Sequence, residues 1–141
     1  MTTFVLDNSV AMRWLLQTGK KSDQVYAEKV LKSLIDTNAM VPNLWHLEAT
    51  NVLLGAEKRS ELSIGEVEGF ISQLEGLPIK VDPLTSNQSF THILSLSRAY
   101  NLSSYDAAYL ELAIRESIPL ASLDKNLLKA AKKAGVQIYL K

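Results

Sequence analysis

Apolar residues in this chain gather in short, widely separated runs: Phe4-Val5-Leu6, Ala39-Met40-Val41, Ile79-Lys80-Val81, Leu120-Ala121-Ser122-Leu123 and Val136-Gln137-Ile138-Tyr139. Each has the length of a strand, and the longer segments between them carry apolar positions at helical spacing. Strands that alternate with helices and are buried on both faces predict a parallel sheet in an α/β fold. About five short strands are expected, within one domain spanning residues 1–141.

Helix ends are marked by side chains able to satisfy orphan amides. Ser63-Ile64-Gly65-Glu66 reads as a capping box opening a helix to about Glu75, ahead of Gly76 and Pro78. A helix is expected from Thr85 to Tyr100, with Phe90, Ile93, Leu94 and Ser97 on one face. Ser103-Ser104-Tyr105-Asp106 reads as a second capping box, opening a helix to about Glu116. Asp124 opens a last helix whose basic end, Lys132-Lys133, precedes Gly135 in the C′ position.

Composition narrows the function classes. At 47% hydrophobic and 21% charged residues, the chain reads as a globule rather than a disordered tail. Fifteen basic and fifteen acidic residues cancel, so any nucleic-acid surface has to be a local patch. The absence of cysteine excludes disulfides, zinc-thiolate sites and thiol nucleophiles. No apolar stretch approaches the ~20 residues needed to span a bilayer, and no signal peptide is evident, so a cytoplasmic protein away from membranes is expected.

Four carboxylates then stand out. Asp7 ends the first apolar run and Asp124 the fourth; Glu48 lies within Leu44-Trp45-His46-Leu47-Glu48, and Asp106 precedes Ala107-Ala108-Tyr109-Leu110. A buried carboxylate is costly unless a cation or hydrogen bonds compensate it. Each has a plain alternative. Glu48 can sit at the edge of an apolar stripe near Leu44, Trp45 and Val52, and Asp106, Asp7 and Asp124 can serve as turn or helix-cap residues. Their joint placement, two after strands and two on helix faces expected to be buried, favours one acidic pocket at the carboxyl rim of the sheet. Without a cation, such acids raise one another's pKa. Oxygen-only ligation selects a hard ion such as Mg²⁺ or Mn²⁺, which can activate water and neutralise a leaving oxygen in phosphodiester hydrolysis. His46 and His92 receive no role.

Weaker signals surround the acids. Ser9 can hold a water or phosphate, or act as an ordinary N-cap. Asn51, one turn beyond Glu48, can orient that carboxylate. Arg13, Lys20, Lys21, Lys58, Arg59, Lys125 and Lys129 are candidates for a phosphate backbone, with Arg13 and Lys125 singled out, or else solvated surface.

Four stretches in order carry a resemblance to the PIN-domain family, and within it to the VapC-type toxins of toxin–antitoxin pairs. Phe4-Val5-Leu6-Asp7-Asn8-Ser9-Val10 with Trp14 is similar to the first acidic motif, and Glu48-Ala49-Thr50-Asn51-Val52-Leu53 resembles the second. Leu102-Ser103-Ser104-Tyr105-Asp106-Ala107-Ala108-Tyr109-Leu110 resembles the third and is the most specific. Leu120-Ala121-Ser122-Leu123-Asp124 resembles the fourth, with Ser122 where the family more often has Thr. The resemblance implies a three-layer α/β/α domain and a single-strand-directed endoribonuclease using Mg²⁺ or Mn²⁺. It also implies a homodimer neutralised by a VapB-like antitoxin. Carried over, Asp7, Glu48, Asp106 and Asp124 are the metal-binding acids, with Asp7 and Asp106 the most direct, and Ser9 and Asn51 support them.

Two other acidic α/β designs fit less well. A phosphoacceptor signalling domain requires paired acids after the first strand and a phosphorylated acid after the third, where this chain has Asp82 beside Pro83. An aspartyl-nucleophile phosphatase requires a second Asp two residues after the first, and that position is Ser9. A PIN-type module that binds RNA or protein without cutting has no need of four intact acids.

Overall fold

The computed structural model describes residues 3–17 and 19–141. Its sheet has four parallel strands, β1 (Phe4–Leu6), β2 (Ala39–Val41), β3 (Ile79–Val81) and β4 (Leu120–Ala121), in the order β3-β2-β1-β4. All three residues of β1 are fully buried, as an interior parallel strand covered on both faces requires. At the β3 edge, Lys80 and Val81 are exposed; the edge lysine discourages pairing with another chain. The expected α/β fold with a parallel sheet is thus in place.

The expected fifth strand is reduced to a single bridge. Ile138 pairs with Leu120, supported by Leu120 N–H to Gln137 O and Tyr139 N–H to Leu120 O, both 2.9 Å. The Tyr139 ring stacks on Phe4 at 3.9 Å and its carbonyl accepts from the Tyr26 hydroxyl, so the segment is anchored by side chains rather than by a ladder. Strand β4 is likewise shorter than Leu120 to Leu123: it ends at Ala121, and beyond it the Asp124 amide bonds to the Ser122 hydroxyl.

Between the strands lie α1 (Asn8–Ala11) with a 3-10 turn at Met12–Trp14, α2 (Lys21–Ser33), α3 (Trp45–Lys58) and α4 (Ile64–Glu75). Further on come α5 (Thr85–Gln88), α6 (Leu94–Tyr100), α7 (Ser104–Glu116) and α8 (Lys125–Lys133). The capping box at α4 forms in both directions, Glu66 N–H to Ser63 Oγ at 3.1 Å and Ser63 N–H to Glu66 Oε1 at 3.0 Å. At α7 the bond formed is Asp106 N–H to Ser103 Oγ, also 3.1 Å. Asp106 is one methylene shorter than Glu66, and no return bond from its carboxylate to the Ser103 amide forms among the described residues. Gly135 follows α8 with φ of +81°, the left-handed C′ conformation expected of it.

The stretch from Thr85 to Tyr100 is helical but not uniform: a π-helical segment, Ser89–Ile93, joins α5 to α6. Its wider turn shifts the side-chain phase. Ile93 faces the core at 3% exposure while Phe90 stands in solvent at 92%, so the expected common face does not form.

Helix α7 packs on β1 and β4 and is buried from Ala107 to Ala113, nearly all round, as a helix in the middle of the core must be. No helix of the described residues is long and apolar enough to cross a membrane.

Candidate functional site

Strand β1 delivers Asp7 to the carboxyl rim of the sheet, where Asp7 N–H still pairs with Ala121 O at 3.0 Å. Asp7 is 6% exposed. Oδ2 accepts from the hydroxyls of Ser9 (2.7 Å) and Ser122 (2.8 Å). Each hydroxyl is itself fixed by a backbone donor, Leu123 N–H to Ser9 Oγ at 2.9 Å and Asp124 N–H to Ser122 Oγ at 3.0 Å. With one lone pair of each hydroxyl engaged by a backbone amide, both serines direct their single proton at Asp7. Oδ1 receives no hydrogen bond among the described residues. Burial outweighs the two hydroxyls, and the charges of Glu48 and Asp124 add to it, so the Asp7 pKa is pushed up to about 6.

Glu48 projects from the first turn of α3, half-buried. The buried stripe of this helix is Trp45, Ala49, Leu53 and Ala56, and Glu48 flanks it. Oε1 accepts a short hydrogen bond from the Tyr109 hydroxyl and a second from Asn8 Nδ2 at 3.3 Å. Burial and the Asp106 charge raise the Glu48 pKa against these two donors. Tyr109 is fully buried on α7, and burial with the charges of Asp7 and Glu48 pushes its phenol far above the ordinary value, so it remains a donor.

Asp106 lies one turn before Tyr109 on α7, half-buried. Burial, then the charges of Asp124 and Asp7, push its pKa up to about 6 against the Ser103 hydroxyl. Asp124 caps α8 through Oδ1, which accepts Leu127 N–H at 3.0 Å, and its charge bears on both Asp7 and Asp106. Both proposed roles of Asp124, cap and pocket acid, are geometrically compatible.

The four acids therefore share one electrostatic neighbourhood, although among the described residues no three acids or histidines converge into a closed metal cage. Of the four, only Asp7 is truly buried. Mutually repelling carboxylates are expected to stand apart until a cation draws them in. The donor set fits a hard divalent ion. It is all oxygen, it includes a free oxygen on Asp7, the most buried of the four, and burial together with neighbouring acids raises the pKa of Asp7, Glu48 and Asp106. His46 and His92 are exposed.

A family model of the PIN domain matches residues 4–133. The chain belongs to the PIN-domain family. PIN domains are in general nucleases and usually use divalent metals. The fold is similar to the crystal structure of PAE2754 from Pyrobaculum aerophilum, with a TM-score of 0.66, 18% identity, and 92% of this chain and 86% of that one covered. A comparison with curated proteins gave no match.

Within this PIN domain, the supporting residues fall out differently from the sequence reading. Ser9 is the second residue of α1 rather than its N-cap, which is Asp7, and it holds Asp7. Asn51 is exposed and makes no hydrogen bond to Glu48 among the described residues, because its position on α3 turns it to solvent. The residues that hold Glu48 are Asn8 and Tyr109. Both lie inside the acidic motifs, directly after Asp7 and one turn after Asp106, and that adjacency was the available signal.

A cavity of about 380 Å³ beside the acids is bounded by Asn8, Ser9, Arg13, Val52, Leu123 and Asp124. The Arg13 guanidinium crosses Gly19, where an added Cβ would fall 2.6 Å from Nη1; Gly19, with φ of +96°, leaves it room. Lys125 follows Asp124 and is exposed. Lys58 and Arg59 sit at the opposite end of α3, roughly 15 Å along the axis from Glu48, and Arg59 pairs with Glu61 at 2.9 Å. Lys129 lines a separate cavity with Lys133. Of the basic candidates, Arg13 lines the cavity beside Asp124 and Lys125 follows Asp124 directly in the chain.

Asp82, the acid a phosphoacceptor would use, follows the edge strand β3, two strands from β1. It is 2% exposed and bound by Arg115 at 2.6 Å, which also binds Glu111 at 2.8 Å. A carboxylate closed in this way is a structural ion pair, which disfavours the signalling alternative.

Proposed function

We propose that this PIN domain, residues 1–141 acting as one unit, is a Mg²⁺- or Mn²⁺-dependent endoribonuclease, and that it is the toxin of a VapBC-type toxin–antitoxin pair in the cytoplasm. The single observation that carries the nuclease reading is Asp7: a buried carboxylate with one oxygen held by two hydroxyls, the other free, and three more acids around it. Asp7 and Asp106 are the acids proposed to contact the ion most directly, with Glu48 and Asp124 completing the site. When bound, the ion would supply water activation and charge neutralisation at the phosphodiester. Ser9 and Ser122 hold Asp7 in place, and Arg13 and Lys125 are proposed to contact the RNA backbone.

The toxin role, the VapB-like antitoxin and the homodimer rest on the motif resemblance. Incubation of the purified chain with RNA tests the nuclease reading. Cleavage is expected with Mg²⁺ or Mn²⁺, none with chelator, and loss in Asp7→Asn and Asp106→Asn with the fold intact. Cleavage that survives both substitutions and chelation would sink it. A neighbouring gene for a small DNA-binding protein that co-purifies with the chain and suppresses cleavage would establish the antitoxin, and sedimentation would test the dimer.

A further inference from the structure

Asn8 and Tyr109 come from segments 101 residues apart and meet over one oxygen of Glu48. The Tyr109 hydroxyl has one proton and spends it on Glu48 Oε1. Asn8 Nδ2 lies 2.9 Å from Trp45 O, 3.3 Å from Glu48 Oε1 and 3.4 Å from the Tyr109 oxygen. All three are acceptors for the amide, so its orientation is fixed: a flipped carboxamide would set Oδ1 against Trp45 O and Glu48. In the orientation adopted, Asn8 Oδ1 is buried with no partner among the described residues. This orientation turns the amide's donors toward Glu48, Trp45 and Tyr109.

Both bonds to the Glu48 carboxylate end on Oε1, and among the described residues none reaches Oε2. Asp7 shows the same division, with both hydroxyls on Oδ2 and none on Oδ1. We propose that Asn8 and Tyr109 are positioning residues that hold Glu48 by Oε1, so that it presents Oε2 alone to the acidic pocket as a single-oxygen donor. The inference rests on reading the four acids as a cation pocket. It adds that three of the four carboxylates, Asp7, Glu48 and Asp124, are each tethered by one oxygen, and that the tether on Glu48 is an uncharged amide and phenol. Neutral donors hold the carboxylate without cancelling the charge a cation needs. An arginine in their place would pair with the acid as Arg115 pairs with Asp82 and take it out of service.

The test uses Tyr109→Phe, which keeps the ring in the core and removes one oxygen. Mn²⁺ affinity is measured by calorimetry in the unmodified chain, Tyr109→Phe, Glu48→Gln and the double variant, with melting temperature alongside. Loss of an outer-shell partner typically weakens metal binding 10–100-fold. A loss of at least tenfold is expected from Tyr109→Phe when Glu48 is present, and little further loss once Glu48 is Gln. The same loss in both backgrounds, or none in the first, overturns the proposal. Crystal structures of the metal-free unmodified chain and Tyr109→Phe give a readout that needs no ion. A Glu48 carboxylate that swings away in the variant supports the tether, and one that keeps its orientation overturns it. Should the unmodified chain bind no Mn²⁺ while the carboxylate swings in Tyr109→Phe, the cation reading falls and the tether stands.

Discussion

Replacing Asp7 by Asn should make the metal-free protein more stable at neutral pH, although it removes the central acid of the site. The Asp7 pKa rises from 3.8 to about 6 on folding, chiefly through burial. A shift of roughly two units at 1.36 kcal/mol each corresponds to about 3 kcal/mol. The sign follows from proton binding. Between pH 3.8 and 6 the folded chain holds more protons at this group than the unfolded chain, so stability falls as pH rises through that window. The full penalty is present above pH 6 and absent below the unfolded value. Asparagine is neutral throughout, and its carbonyl can still accept from Ser9 and Ser122. Up to ~3 kcal/mol is therefore recovered at pH 7 and almost none near pH 4, equivalent to a rise of about 5–10 °C in melting temperature at pH 7. The assay is thermal unfolding by circular dichroism in chelator, for both chains, at steps from pH 4 to 7. A variant no more stable than the unmodified chain at pH 7 would refute the reasoning, as would a gain that does not shrink on acidification.

The other expectations concern different parts of the molecule. Asp106→Asn should stabilise the metal-free chain in the same direction, by less than Asp7→Asn because Asp106 is half-buried and solvent screens it; equal or larger gains in melting temperature would contradict that ordering. Arg115→Met leaves Asp82 and Glu111 without their shared cation, and unfolding by urea should show a loss of about 3–5 kcal/mol while Mn²⁺ affinity is unchanged. Ser63→Ala breaks the capping box of α4 and should cost about 1 kcal/mol in the same assay; a neutral result would mean that α4 is held by its buried face alone.

Much of the fold was legible because it is encoded locally. The run Phe4-Val5-Leu6 followed by an acid reads as a buried strand delivering Asp7, and all three residues are indeed fully buried. Ser63 with Glu66, and Asp124 with Gly135, mark helix ends through bonds that span only a few residues. The features missed depend on residues far apart in the chain. Phe90 obeys helical spacing, yet it lies in a π-helical segment that turns it outward and that packs against α7, a helix later in the chain. The segment 136–139 has strand composition, but its docking is decided by Phe4 and Tyr26. Local spacing nominated Asn51 as the partner of Glu48, whereas the partners come from α1 and α7. The four acids could be named from sequence; which oxygen of Glu48 is held could not, because both of its tethers cross between elements.

The central claim is that these acids form one cation pocket, and Mn²⁺ titration across pH examines it most directly. Two members, Asp7 and Asp106, have pKa values near 6 in the metal-free protein, so a cation must displace protons from them below that pH. Calorimetric titration is expected to show binding at pH 7, progressive weakening as pH falls through 6 toward 5, proton uptake by the buffer in that window, and loss of binding in Asp7→Asn. Binding that is insensitive to pH between 7 and 5, or that survives Asp7→Asn unchanged, would contradict the account.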